Sequence, residues 1–529
     1  MRKTGERRQR SQDVDPQFGD DRYPCRMDAL RESRGVLGAG RSWRSILEGV
    51  VVFVVLVGLA AANGGFFPRA WTVAAVGLFW FVALSVLFGE KFELGGLERV
   101  WLLLLLALTC WTAISLVWSS NASVSLLEVR RCLVYVAALG AVLLLAGPLS
   151  MRRLVVAVWA ASGAVVVYAL LVYLLRADSR VDPFQAALLS RPLGYANALG
   201  ILAGIGTVLA VGLTARGTGG LPELLAAGSI SPFAAALYLS GSRGSAVAVV
   251  VGLVVMLLVD PDRSGVVGAL CVLAPGAALV ITLSRQSSLA NATTSGATAT
   301  HAGYVLLLAI VLVGGAVAFA SREVRRIGGW VERHLRSVRA LAAAALAALV
   351  AVVAGAATVG PSWRQHFTAE GYRPRYWHVA WIEYLAHPWL GSGAGTFGDY
   401  WVRYGIPGVA GGALDAHNLY LETLAELGPI GLALLAAMLA LPLFAAAHVR
   451  RRPLVPAALA AYSALLAHSA LDWDWEMPAA MLAGLFCAAA MVTCEREPAP
   501  NGTLSRSARG AIFALACALA LFALLAQIS

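Results

Sequence analysis

Leu154-Val-Val-Ala-Val-Trp-Ala-Ala-Ser-Gly-Ala-Val-Val-Val-Tyr-Ala-Leu-Leu-Val-Tyr-Leu-Leu175 runs for 22 residues without a charge. As a helix it would be about 33 Å long, the depth of a bilayer's hydrocarbon core. Similar runs recur along the chain, and fifteen candidate spans can be marked. They are Ile46–Ala62, Ala70–Gly89, Val100–Trp118, Leu133–Gly147, Leu154–Leu175, Asn197–Leu213, Leu221–Ser240, Ser245–Val259, Val266–Leu283, Tyr304–Ala320, Leu341–Val359, Leu419–Ala447, Val455–Ala470, Ala479–Val492 and Ala511–Ile528. The expected fold is an all-α polytopic membrane protein, a bundle of about 12 to 15 transmembrane helices.

Composition excludes the other classes. Of 529 residues, 59% are hydrophobic and 13% charged, with a mean hydropathy of +0.73. A soluble chain would be about a quarter charged. The net charge of +11 reads as the Lys and Arg excess of cytoplasmic loops, not as a nucleic-acid patch. Most of the seven cysteines lie in apolar runs, and none shows CxxC or zinc spacing, so neither a disulfide framework nor a metal site is indicated.

Met1–Arg44 is polar and Arg-rich and reads as a cytoplasmic tail. With the N-terminus inside, the basic loops at Met151–Arg153, Ala215–Arg216, Asp260–Arg263, Arg322–Arg339 and Arg450–Arg452 all fall on the cytoplasmic side. The 56-residue stretch Pro361–Ala416 then faces outward. It holds five tryptophans and five tyrosines, too aromatic a load for a linker, and is expected to fold as a cap. Within it Trp377, Trp381 and Tyr384 recur about a helical turn apart, which suits the outer membrane interface.

Candidate chemistry gathers on that outer side. Arg243 sits in Ser240-Gly-Ser-Arg-Gly244, a junction between two spans with almost no loop, where a charge near the bilayer marks a substrate path. His417, beside Asn418 and two residues after Asp415, stands at the mouth of a long span and is a candidate general base. Gly391-Ser-Gly-Ala-Gly-Thr396 lacks the Lys-Ser/Thr of a phosphate loop and reads as a turn. Asp472-Trp-Asp-Trp-Glu476 reads as a polar turn between spans rather than a cation site.

Taken together, Arg191-Pro-Leu-Gly-Tyr-Ala-Asn-Ala-Leu-Gly200, Ser240–Gly244, His387-Pro-Trp-Leu-Gly-Ser-Gly-Ala-Gly-Thr-Phe397, and His417-Asn-Leu-Tyr-Leu with Glu426-Leu-Gly-Pro-Ile-Gly431 resemble the O-antigen ligase and polymerase family. The ending His468-Ser-Ala-Leu-Asp-Trp-Asp-Trp-Glu-Met-Pro478 is similar to the close of that domain. The resemblance divides the chain into a tail (1–45), N-terminal spans (46–190), the family domain with its outer loop 361–416 (191–492), and a linker with a last span (493–529).

It implies a multispanning GT-C-type glycosyltransferase of the cytoplasmic (inner) membrane. Such an enzyme passes a glycan from a polyprenyl diphosphate to an acceptor hydroxyl at the outer face. It inverts the anomeric centre and uses neither a metal nor another cofactor. By that likeness His417 is catalytic, and Arg243, Arg375 and Arg191 hold the diphosphate. Asp415, Asn418, Asn197, Gly428 and Gly431 support them. A flippase and a chain-length regulator are the implied protein partners. The alternatives are a flippase or transporter of lipid-linked glycan, or a non-catalytic envelope scaffold.

Overall fold

The computed structural model describes residues 43–88, 94–147, 149–176, 185–216, 220–287, 289, 296–334, 372–405, 413–496 and 505–525. The expected tail, the span Leu341–Val359, parts of the outer loop and the linker before the last span lie outside them. The described residues form eighteen α-helices and no β-strand. In order they are α1 (Trp43–Ala61), α2 (Pro68–Phe88), α3 (Gly96–Ile114), α4 (Ala122–Leu145), α5 (Met151–Leu175), α6 (Ala196–Ala215), α7 (Leu221–Gly228), α8 (Ile230–Leu239) and α9 (Arg243–Val259). There follow α10 (Arg263–Gln286), α11 (Gly296–Ala320), α12 (Val324–His334), α13 (Tyr372–Ala386), α14 (Phe397–Tyr404), α15 (Leu419–Val449), α16 (Val455–Ser469), α17 (Pro478–Cys494) and α18 (Arg506–Leu525).

Among the described residues eight helices are long and apolar enough to cross a membrane, and four shorter, largely apolar ones lie in α1, α9, α16 and α17. The chain is an all-α polytopic membrane protein. The run Leu221–Ser240, expected as one span, is broken at Ser229 into α7 and α8. Helix α4 begins well before the expected Leu133 and takes in Glu128, Arg130 and Arg131. These charges are absorbed internally. Arg131 pairs with Glu128 at 2.7 Å and Glu476 at 3.3 Å, while Arg130 lies over the Trp71 ring and donates to Thr72 Oγ1.

The centre is built from small residues. Every residue of α17 is buried, and α6 is buried along nearly its whole length. Small side chains let helices approach closely where lipid offers no hydrophobic drive between them. A Cβ at Gly206 of α6 would stand 2.3 Å from the Phe233 ring, and one at Gly212 would meet the Ala457 side chain. Helix α9 packs against α16 and α6 by the same device, Gly252 lying against the Ala460 carbonyl.

Helix α15 is broken where Gly428, at φ 68°, precedes Pro429. Carbonyls freed by a proline need other donors inside a membrane protein. They find them here: Trp111 Nε1 donates to Leu427 O at 2.9 Å, the Ser392 amide to Ala425 O, and the Gly393 amide to Glu426 O.

The bundle has two unlike ends. One holds ion pairs that pin helix starts and stops, among them Arg496 with Glu98 at 2.7 Å, Arg152 with Glu223 at 2.8 Å, and Arg216 with Asp260. The other gathers the turn before α6, the start of α9, helices α13 and α14, the loop entering α15, and the turn between α16 and α17.

Candidate active site

Asn418 caps α15, its Oδ1 accepting the amides of Tyr420 at 3.1 Å and Leu421 at 3.0 Å. That cap fixes the residue before it. His417 sits at φ 51°, a left-handed conformation uncommon for a residue with a side chain and one that recurs at functional sites. Its amide donates to Asp415 Oδ1, and its ring Nδ1 lies 2.7 Å from the same oxygen, an ion contact bent away from a linear hydrogen bond. The Tyr376 ring stacks on the imidazole at 4.7 Å, and Trp473 closes a second side at 6.3 Å. Burial works to depress the His417 pKa, but Asp415, and beyond it Asp472, outweigh burial and lift it above the ordinary histidine value. The imidazole is thus placed to accept a proton and to be stabilised once charged.

Helix α13 presents one face to this centre. Arg373, Tyr376, Ala380 and Glu383 follow at helical spacing. Arg373 Nε donates to Leu471 O at 2.8 Å and its Nη2 to Asp472 Oδ2 at 3.0 Å. Glu383, fully buried, accepts Ser392 Oγ at 2.6 Å and Thr396 Oγ1 at 3.1 Å, and burial pushes its pKa up to about 7. Arg375, two residues beyond Arg373, is turned about 200° round the helix and is exposed. Of the two α13 arginines it is Arg373, not Arg375, that reaches Asp472. Arg191 is exposed on the turn before α6.

The hub is Asp472, which the sequence offered only as part of a polar turn. It is 1% exposed and takes Tyr195 Oη at 2.7 Å, Asn197 Nδ2 at 2.6 Å, Arg373, and the Trp473 amide. Burial would raise its pKa, yet His468, His417 and Arg373 together hold it below the ordinary aspartate value. Asn197 thus enters the cluster through Asp472. Arg243, at the first position of α9, stands close enough to Arg373 for their charges to act on one another. The glycines beside it serve the fold: Gly244 admits the His468 ring, 3.3 Å from where a Cβ would sit, and Gly241 lies against Leu188.

The glycine-rich loop 391–396 does cradle an anion, but one from its own chain. Glu426 accepts the Gly395 amide at 2.7 Å and the Phe397 amide at 3.0 Å. Gly428 and Gly431 lie away from the imidazole. Gly428 brings the α15 break against the Trp389 carbonyl, where a Cβ would stand at 2.5 Å, and Gly431 packs under Leu427.

Residues 289–436 match the family model described as O-Antigen ligase. This stretch of the chain is similar to O-antigen ligases. That match supports a role in lipid-linked glycan transfer during cell-surface polysaccharide assembly. Among curated proteins the chain finds no match. Within the O-antigen ligase match lie Arg373, Tyr376, Asp415, His417 and Asn418, while Asn197, Arg243, His468 and Asp472 come from outside it and fold against it. Arg373 and His468, to which the sequence reading assigned no role, join this cluster. The polar residues at 468–476, between two apolar spans, were the available signal.

Proposed function

We propose that the protein transfers a glycan from a polyprenyl diphosphate to an acceptor hydroxyl at the outer face of the cytoplasmic membrane. The observation that carries this is the meeting of His417, Arg373 and Arg243 around Asp472 at one end of the bundle. Leu471 O takes Nε of Arg373 and Asp472 takes its Nη2, which directs the donors of Nη1 toward a ligand. Arginine stays charged at any relevant pH and matches phosphate geometry with its planar fork.

In this reading Arg373 and Arg243 grip the diphosphate and neutralise the charge it gains as the bond to the anomeric carbon breaks. His417 accepts the proton of the attacking hydroxyl, and Asp415 stabilises the imidazolium. Attack from the side opposite the diphosphate inverts the anomeric centre. The densest basic segments, at 322–326 and 450–452, lie at the other end of the bundle, which supports an outward-facing site.

The test compares lipid-linked and surface glycans in cells carrying wild type, His417→Ala or no copy. Lipid-linked glycan accumulating at the outer face, equally in mutant and deletion, is the expected result. Accumulated single repeat units would mark a polymerase and full-length chains a ligase. Wild-type behaviour of His417→Ala, or intermediates trapped inside, would overturn the assignment.

A further inference from the structure

His468 is the one fully buried histidine among the described residues, set in the otherwise apolar helix α16. Burying an imidazole is costly unless both ring nitrogens are bonded, and here both are. Nδ1 lies 2.8 Å from Asp474 Oδ2, and Nε2 lies 3.1 Å from Ser245 Oγ. Asp474 also accepts Ser469 Oγ at 3.0 Å, so its carboxylate is fixed from two sides.

Ser245 is a junction. Its hydroxyl lies 2.7 Å from Ser242 Oγ, the N-cap of α9, and donates to the Asn197 carbonyl at 3.3 Å. Arg243 lies between Ser242 and Ser245 in the same first turn. The His468 ring therefore rests on the turn that carries Arg243. Three and four residues further along, the same chain holds Arg373 through Leu471 O and Asp472. One short turn, 468–474, sets both guanidinium groups.

We propose that His468 is a positioning residue that acts through Ser245 to hold Arg243 at the spacing from Arg373 that a diphosphate requires. It touches no substrate, and its buried bonds to Asp474 and Ser245 keep it from serving as a nucleophile's base. The proposal rests on the reading of Arg243 and Arg373 as the diphosphate grip. A shift of that grip by a fraction of an ångström weakens donor binding before it alters the chemistry at His417.

The test uses the full chain in lipid nanodiscs, with lipid-linked glycan extracted from cells lacking the gene as donor and their envelope extract as acceptor. Released polyprenyl diphosphate is the readout. Ser245→Ala removes one oxygen and leaves the Ser242 cap in place, so it tests the contact with little risk to folding. Both Ser245→Ala and His468→Asn are expected to raise the donor KM about tenfold while kcat changes by less than about threefold. The double variant should be no worse than the weaker single variant, because both remove the same link.

A Ser245→Ala enzyme with wild-type KM, or effects of the two substitutions that multiply, overturns the role of His468. His417→Ala and Arg373→Ala run alongside as controls. If those two are inactive while Ser245→Ala matches wild type, only the positioning role falls. If they retain activity, the grip itself is misread and the proposal falls with it.

Discussion

Replacing Arg373 by alanine separates the two arginines of α13 that lie two residues apart. Arg373 is 16% exposed at its side chain, and Asp472, its partner at 3.0 Å, is 1% exposed. Breaking a buried pair by removing one member costs about 3–5 kcal/mol. Asp472 keeps the donors of Tyr195, Asn197 and the Trp473 amide, which brings Arg373→Ala to or below the bottom of that range, about 2–3 kcal/mol. Transfer activity should fall further than stability explains, by about a hundredfold or more, as one preplaced cation is lost.

Arg375→Ala, on the exposed face, should stay within about 0.5 kcal/mol of wild type and keep its activity. Arg373→Lys keeps the charge but loses the fork that reaches both Leu471 O and Asp472, and should recover only part of the rate. The double variant Arg373→Ala/Asp472→Asn removes both charges. It should regain much of the lost stability and none of the transfer. Thermal midpoints in detergent and initial transfer rates read the two effects separately. An Arg375→Ala variant as inactive as Arg373→Ala, or a double variant that regains transfer, would refute this account.

Three further outcomes are expected. Asp415 outweighs burial in raising the His417 pKa, so Asp415→Asn should move the acid limb of the normalised rate–pH profile to lower pH; a limb that stays in place would disconnect the two residues. Glu383, held at about 7 against an ordinary 4.5, binds in the folded protein a proton that the unfolded chain releases. Stability should therefore fall as pH rises between those values, and Glu383→Gln should flatten the trend in thermal midpoints. Gly428→Ala places a side chain at φ 68° and 2.5 Å from the Trp389 carbonyl, and should cost more than about 2 kcal/mol, seen as a lowered midpoint.

The spans were legible because a charge-free run such as Leu154–Leu175 has few alternatives to a buried helix. Where charges entered a helix the reading shortened it: Glu128, Arg130 and Arg131 hid the start of α4, since their partners Glu476 and Thr72 lie far off in the chain. In the site, the His417–Asp415 pair is a matter of neighbours and could be read directly. The choice between Arg373 and Arg375 depends on which face of α13 docks, which no local spacing states. Asp472 was harder still, because its meaning comes from Asn197, 275 residues earlier.

Helix α17 turns no side toward lipid, since all seventeen of its residues are enclosed by protein. Its neighbours α1, α3, α4, α5, α6, α15 and α16 all precede it in the chain. During synthesis it must therefore leave the translocation machinery and slot into a groove that earlier helices have already made. The turn bearing Asp472 and Asp474 hangs from its N-terminal end, between α16 and α17. The turn that carries Asp472 and Asp474 is thus anchored at both ends only once α17 has seated, and a chain halted before Pro478 would hold that turn through α16 alone.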